Sequence, residues 1–596
     1  MCSCFRSNSR FNLASLTVLL LLLRIGPSSR ATVWQVDDDL AQFPKAKFKT
    51  IQPAVDAAKN GDTIQVAPGV YAEGVTVNKT LKLLGAQAGV DARTRQVKVP
   101  QESLIVAGQH HFNLSANDII MDGFSLRVVV DDSGEGVGAH TRQTFSGYRI
   151  INNIMDADGT TALVPECSGA KQMQIRRNLF TGRLGIAVES NEQGEAHNVL
   201  VEENLFIGSD LAFFGNAHSD LLITRNKLTD GGRIAISDNS FPSGFPPSVR
   251  VQVLKNELSG PGSGLMEFRN VEESLVKENV LSNAGGDGIV VSASSNIKLR
   301  IEKNRIFGSS GGSRVGTGIR FDDAALVGLG SIAVSLVEII QNDIRGFGVG
   351  LEIFGNGNFI QGNSVQDNQE AGISIRAGSH NNLVFGNETR GSATDCFDET
   401  TGGAQTFTTL NTWFQNEGSS SFPDGLCIDS LDQTKLGSNL LRNSDLKKGT
   451  PPLPESWTPD AYAFSASFFN WDKGNGILFL NVPEAAPNDT RWTQVVTVTS
   501  HTDYLLEASI STENVAYSND LVDGGANLSI LETDFIPFDA SAPLLGDQPF
   551  TRRMVWFNSG DRTSVTVALR LGIYSGTTSG QAAFKAPKLR KITQQN

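Results

Sequence analysis

From about residue 185 to residue 376 the chain is built from short runs in which apolar and polar positions alternate. They read GIAVES, IAISDN, GLMEFRN, GIVVSAS, GIRFDD, GLEIFGN and GISIRAG. A period of two is the signature of a strand with one face buried. Between these runs an Asn followed two places later by an apolar residue recurs at Asn152, Asn178, Asn204, Asn226, Asn256, Asn279, Asn304, Asn342 and Asn363. A repeat of roughly 20 to 30 residues means stacked units, each pairing with the next. Because the units mix Ile, Val, Phe and Leu around a single Asn, they suit rungs of a right-handed parallel β-helix, about 11 to 13 of them. One Asn per rung can then stack into an amide ladder.

The opening FKTIQPAVDAAKNGDTIQVAPGVYAEGVTVNKTLKLLGA predicts a short amphipathic helix near residues 51 to 59, placed to cover the open end of the first rung. This stretch resembles the start of pectin-lyase-like right-handed β-helix proteins, including the NosD-like and pectin methylesterase branches. TDCFDETTGGAQTFTTLNTWFQNEGSSSFPDGLC looks like the closing segment of secreted bacterial β-helix repeat proteins. With the repeat, the resemblance runs over about residues 33 to 435 and implies fold. The Asp and His motifs of pectin methylesterases, polygalacturonases and alginate epimerases are missing, so no activity is carried over with it.

After about residue 443 the repeat stops. KKGTPPLPESWTP reads as a Pro-rich linker over 444–458, and longer alternating strands follow from 459 to 596. Their number suggests an antiparallel β-sandwich of jelly-roll type. RWTQVVTV, YLLEASI and SGQAAFKAPKLRK look like carbohydrate-binding jelly-roll modules. Trp457, Trp471, Trp492 and Trp556 are candidates for stacking on sugars, against the alternative of core positions. Lys585 and Ala586 stand where many such modules carry acids, which puts calcium there in doubt. The expected architecture is therefore all-β: a β-helix over 32–443, a linker and a sandwich.

Composition changes this picture at its edges. Residues 1–31 run from basic through the apolar stretch Leu13 to Leu23 to a small-residue end at Ala31, the order of a secretory signal, and too short an apolar run to span a bilayer. Its removal, with four arginines, takes the net charge from −13 to −17, a poor match to nucleic acid. The expected location is secreted, cell-surface or periplasmic. Cys396 and Cys427 bracket one Gly/Ser/Thr-rich loop and are placed for a disulfide, with two buried thiols as the alternative. Among His110, His111, His140, His197, His218 and His380 the one close pair is His110 and His111, which alternate faces on a strand, so no paired metal-ligand spacing results. No metal-ligating set is assigned; the sequence requires no cofactor and leaves calcium open.

Aligning the runs sorts residues by face. The first outward row reads Ala187, Ala212, Ala235, Met266, Val290, Arg320, Glu352, Ser374, and the second Glu189, Phe214, Ser237, Phe268, Ser292, Asp322, Phe354, Arg376. Charge gathers on the last rungs. Asp322, Asp323 and Glu352 are candidates for general acid and base work on a sugar chain, with Arg320 and Arg376 binding an acidic sugar. Phe214, Phe268, Phe354 and Glu189 are candidates for holding substrate. A cross-strand ion-pair ladder on a solvated face explains the same charges without chemistry. The function expected is a monomeric, polysaccharide-engaging protein, acting as a lyase or glycoside hydrolase on an acidic glycan; the alternative is a non-catalytic binding, adhesion or structural β-helix.

Overall fold

A computed structural model of the chain describes residues 31–96, 101–107, 110–128, 136–188, 194–215, 217–237, 246–261, 264–292, 298–309, 315–322, 334, 336–428, 434–517, 524–532, 540–573 and 578–594. The expected signal, Glu189, Asp323 and most of the 309–316 and 322–331 loops lie outside the described residues.

Every strand from Val33–Val36 to Ser421–Phe422 that pairs does so in parallel with a strand of the neighbouring rung. The 17-stranded sheet takes one strand per rung and the 25-stranded sheet takes two, so each rung is three strands joined by corners. This is a parallel β-helix of about eleven turns. Inward residues form one continuous apolar column from Val36 to Cys427. The helix α1 (Ile51–Ala57) buries Ile51, Ala54 and Val55 against the first rungs and closes that end, as the opening sequence predicts.

The Asn positions form the expected ladder, and its geometry explains why the residue type is fixed. Asn279 donates Nδ2 to Val253 O at 2.8 Å and to Asn304 Oδ1 at 2.9 Å. Its Oδ1 accepts Asn256 N at 2.9 Å and Asn256 Nδ2 at 3.0 Å. Each amide thus satisfies its own four hydrogen-bonding sites and two buried main-chain groups, a pairing that no apolar side chain replaces. The ladder runs through Asn153, Asn178, Asn204, Asn226, Asn256, Asn279, Asn304, Asn342, Asn363, Asn387 and Asn416. It begins at Asn153 rather than Asn152: Asn152 takes the corner with φ +55° and donates instead to Asp122.

At the far end Asp398 is buried inside the coil and accepts Trp413 Nε1 at 2.7 Å, Thr400 Oγ1 at 2.6 Å and Asn411 Nδ2 at 3.2 Å. A disulfide joins Cys396 to Cys427, with Cα atoms 5.9 Å apart. Cys167 is a buried free thiol, and burial pushes it up to about 11.

His218 gives the coil a predicted acid sensitivity. It is fully buried, accepts Ala196 N at 3.2 Å, and burial pushes its imidazole down from 6.5 to about 4. The unfolded chain takes up this proton first, so stability contributed by neutral His218 is present above pH 6.5 and is lost as pH falls to about 4. The full loss is about 3 kcal/mol. Denaturant midpoints at about pH 7 and pH 4.5 are expected to fall less steeply with acid in His218→Gln than in the wild type.

From Thr434 onward pairing becomes antiparallel. One sheet contains Phe469–Asp472, Ile477–Val482, Thr578–Gln594, Asp503–Tyr517, Gly546–Asn558 and Thr434–Asn439; the other contains Thr458–Ala461, Thr490–Thr497, Ser564–Leu571 and Ala526–Ile530. They enclose a second core including Trp457, Trp471, Trp492, Leu506 and Phe584. The segment expected as a linker is packed instead: Leu446 and Trp457 are buried, and Leu446 O accepts Trp471 Nε1 at 2.7 Å.

The sandwich lies against one flank of the coil. Ile340, Phe359, Leu383 and Phe414 meet Leu505, Met554, Trp556 and Ile592 in a third apolar cluster. Trp556 N donates to Thr412 Oγ1 at 3.1 Å, and the Arg553 guanidinium stacks 4.5 Å from the Phe359 ring. All four tryptophans proposed for sugar stacking are at most 8% exposed, so they are packing residues.

Candidate functional site

The last outward charges come together. The strands Ile289–Ser292, Thr317–Asp322, Val349–Ile353 and Ala371–Ile375 pair with Val290, Arg320, Glu352 and Ser374 in one row, as alignment predicts, and Ser292 pairs with Asp322 in the next. A cleft of about 330 Å³ opens over them, lined by Arg320, Asp322, Glu352, Phe354, Arg376 and Glu399. That volume is at the low end of small-ligand sites. The sandwich flank uses another ladder of the coil, and no sandwich residue lines this cleft among the described residues.

Inside the cleft, charges pair along and across rungs. Arg376 Nη1 lies 2.6 Å from Glu352 Oε1, and its Nε lies 3.3 Å from Glu399 Oε2. Arg320 reaches Asp287 at 3.2 Å and Asp322 at 3.6 Å. Register makes Arg320 and Glu352 neighbours, yet each side chain turns to a different partner. The carboxylates are partly exposed and each is already engaged by a guanidinium. Phe354 is half-buried beside Gly378, where φ is +87° and an added Cβ would stand 3.9 Å from Phe354 Cε2. The ring lines the cleft and also packs in part against the apolar core of the coil.

Other expected site residues are placed elsewhere. Phe268 is fully buried: Ile236 pairs with Phe268 and Ala235 with Glu267, one residue away from the alignment. Both Leu265 and Met266 are buried, and such an apolar pair leaves register ambiguous by one, which turns every side chain over. Phe214 is half-buried under Arg233, whose guanidinium lies 6.0 Å from the ring, and it stands four rungs from Asp322, about 19 Å. Of the aromatic row only Phe354 belongs to the cleft. Sequence reasoning missed Asp287 and Glu399. Asp287 lies in a turn before its strand, and Glu399 beyond the last run recognised as a repeat.

The family model described as "Periplasmic copper-binding protein (NosD)" matches residues 244–418, less than a third of the chain. No curated protein sequence matches the chain. Among solved structures, tailspike protein 3 of bacteriophage CBA120 is 14% identical, with 76% of this chain and 67% of that one covered at a TM-score of 0.35. The mannuronan C-5 epimerase AlgE6 A-module of Azotobacter vinelandii is 14% identical over 62% of this chain and 92% of that one, at 0.38. A tailspike mutant of E. coli bacteriophage HK620, in complex with hexasaccharide, is 10% identical over 88% and 84%, at 0.32.

Copper does not fit the matched stretch. Copper sites draw on clustered imidazole, thiolate or thioether ligands. Residues 244–418 hold one His, His380, one Met, Met266, which is buried in the core, and one Cys, Cys396, which is in the disulfide. The acidic grouping Asp37, Asp38 and Asp39 lies outside that stretch. Asp37 there caps the N–H groups of Leu40, Gln42 and Phe43, and Asp38 that of Val70, so these oxygens hold backbone. Near the proposed calcium position Lys585 stacks over Phe550 at 3.7 Å, a cation where the metal was left open.

Proposed function

We propose that the protein engages a polysaccharide through the cleft on its last rungs, and that it holds the chain rather than cuts it. The observation that carries this reading is the join of one half-buried aromatic ring in the cleft lining, Phe354, with guanidiniums and carboxylates that already neutralise one another. A ring beside polar groups that both donate and accept suits a pyranose, which offers an apolar face and hydroxyls that do both. Two cations face three carboxylates in the lining, which favours a neutral, hydroxyl-rich glycan over the acidic one expected from the arginines. Hydrolysis or elimination by Asp322, Glu352, Arg320 or Arg376 requires one of these pairs to open first.

The disulfide and the signal-like leader support an oxidising, extracytoplasmic location. No helix among the described residues is long and apolar enough to cross a membrane. A panel of neutral and acidic polysaccharides, read by retardation in affinity electrophoresis, tests the reading. Reducing ends and unsaturated products are followed in parallel. Retention by a neutral glycan without product is expected. Release of either product makes the cleft catalytic, and absence of retention by every polysaccharide removes the proposal.

A further inference from the structure

Far from the cleft, three side chains on early rungs stand in hydrogen-bonded sequence. Ser219 begins the strand Ser219–Thr224 and pairs in register with His197, the first residue of His197–Glu202. Ser219 Oγ lies 2.9 Å from His197 Nδ1, and His197 Nε2 lies 2.8 Å from Glu195 Oε2. Gln143 Nε2 reaches the same Glu195 oxygen at 3.3 Å and fixes the carboxylate from the other side. The His197 main chain is closely held: a Cβ on Gly169 would stand 2.6 Å from His197 Cβ, and Cys167 Sγ donates to His197 O at 3.1 Å. The His197 and Glu195 side chains are 26% and 35% exposed, so the group is ordered and open to solvent.

The proton order follows from the partners. An ionised carboxylate only accepts, so the His197 proton sits on Nε2 and Nδ1 presents a lone pair to the Ser219 hydroxyl. Asp220, the next residue, is the competing acceptor. Arg250 holds both its oxygens at 2.7 and 2.8 Å and the Ser219 hydroxyl also hydrogen-bonds to it, bonds that keep its carboxyl below the usual carboxylate range, so the Ser219 hydroxyl must turn from Asp220 to His197 before it reacts. The same Arg250 follows Val249, the rung partner of Ser219, and supplies a cation one residue along from the hydroxyl.

We propose that Ser219, His197 and Glu195 form a nucleophile, its base and a positioning carboxylate that cleave acyl esters. Ser219 Oγ attacks the acyl carbon while its proton passes to His197 Nδ1. That proton moves to the departing alkoxide as the ester C–O bond breaks, leaving acyl-Ser219 and the free alcohol. Water then attacks the acyl carbon, giving one proton to His197 Nδ1, which returns it to Ser219 Oγ as the acid leaves. The sum is ester plus water to acid plus alcohol, with no other reactant. Glu195 holds the tautomer and the ring, as an orienting acid does in a serine hydrolase. The proposal stands on this geometry and is independent of the glycan reading.

The test uses the full-length protein with p-nitrophenyl acetate as substrate and a fluorophosphonate as label. Wild type is expected to take up label at Ser219, and Ser219→Ala and His197→Gln to lose roughly 100-fold or more in hydrolysis. Glu195→Gln is expected to lower kcat roughly tenfold or more with KM unchanged. Ser219→Cys keeps a nucleophile: iodoacetamide is expected to alkylate it at least about tenfold faster than the same thiol in a Ser219→Cys, His197→Gln double variant. The proposal is overturned by an unlabelled wild type, by label or hydrolysis that persists in Ser219→Ala, or by equal alkylation of the two thiol variants.

Discussion

Asn279→Ala is expected to lower the stability of the coil by about 3 to 6 kcal/mol, more than a side chain of its size ordinarily contributes. The reason is its position in the ladder. Removing the amide leaves Asn256 N without its acceptor and Val253 O without its donor, both buried, at about 1 to 3 kcal/mol each. Neighbouring amides Asn256 and Asn304 each lose a partner as well. In a stacked repeat, stability is a sum of rung and interface contributions, so a broken rung is felt locally. Hydrogen exchange of the strands Gln252–Leu254, Ser274–Lys277 and Leu299–Glu302 is expected to rise together in the variant, with the sandwich strands unchanged. Exchange that rises equally in both parts of the chain, or in neither, contradicts this account of the ladder.

Trp556→Ala is expected to cost about 3 to 5 kcal/mol and to uncouple the sandwich from the coil. Trp556 is 2% exposed, and its ring contacts Phe407 and Phe414 of the coil at centroid distances of 5.7 and 6.3 Å. Among the described residues its indole N–H has no hydrogen-bond partner, so what the residue contributes is packing. Trp556→Phe, which keeps most of the apolar volume, is expected to cost only about 1 kcal/mol. Calorimetry distinguishes the two variants: the alanine protein is expected to melt in two separated steps where the wild type and Trp556→Phe melt together. Identical melting of all three contradicts a load carried at this flank.

Much of the fold was legible in the sequence because the coil repeats one physical problem. Each rung buries the same corner amide, and Asn is the residue that both gives and takes there. Legibility failed where local chemistry left two answers. The doublet Asn152 and Asn153 offers two candidates for one corner, and the apolar pair Leu265 and Met266 permits either register, which moved Phe268 from the expected outer face into the core. Trp492 and Trp556 show the same limit: alternation marks their strands, and burial decides which face meets a core. Around the cleft, period two and rung spacing suffice to put Arg320, Asp322, Glu352 and Arg376 on one outward face, where all four line the same cleft. The partners Asp287 and Glu399 flank strands outside the aligned runs. Ser219, His197 and Glu195 are separated by up to 24 positions, and only the rung register brings them together.

The central claim is that the cleft under Phe354 and Arg376 holds a glycan, and titration calorimetry with the best-retained oligosaccharide tests it most directly. Phe354→Ala and Arg376→Ala are each expected to weaken binding roughly tenfold or more while leaving the melting temperature within a few degrees of wild type. Binding that is unchanged in both variants contradicts the account.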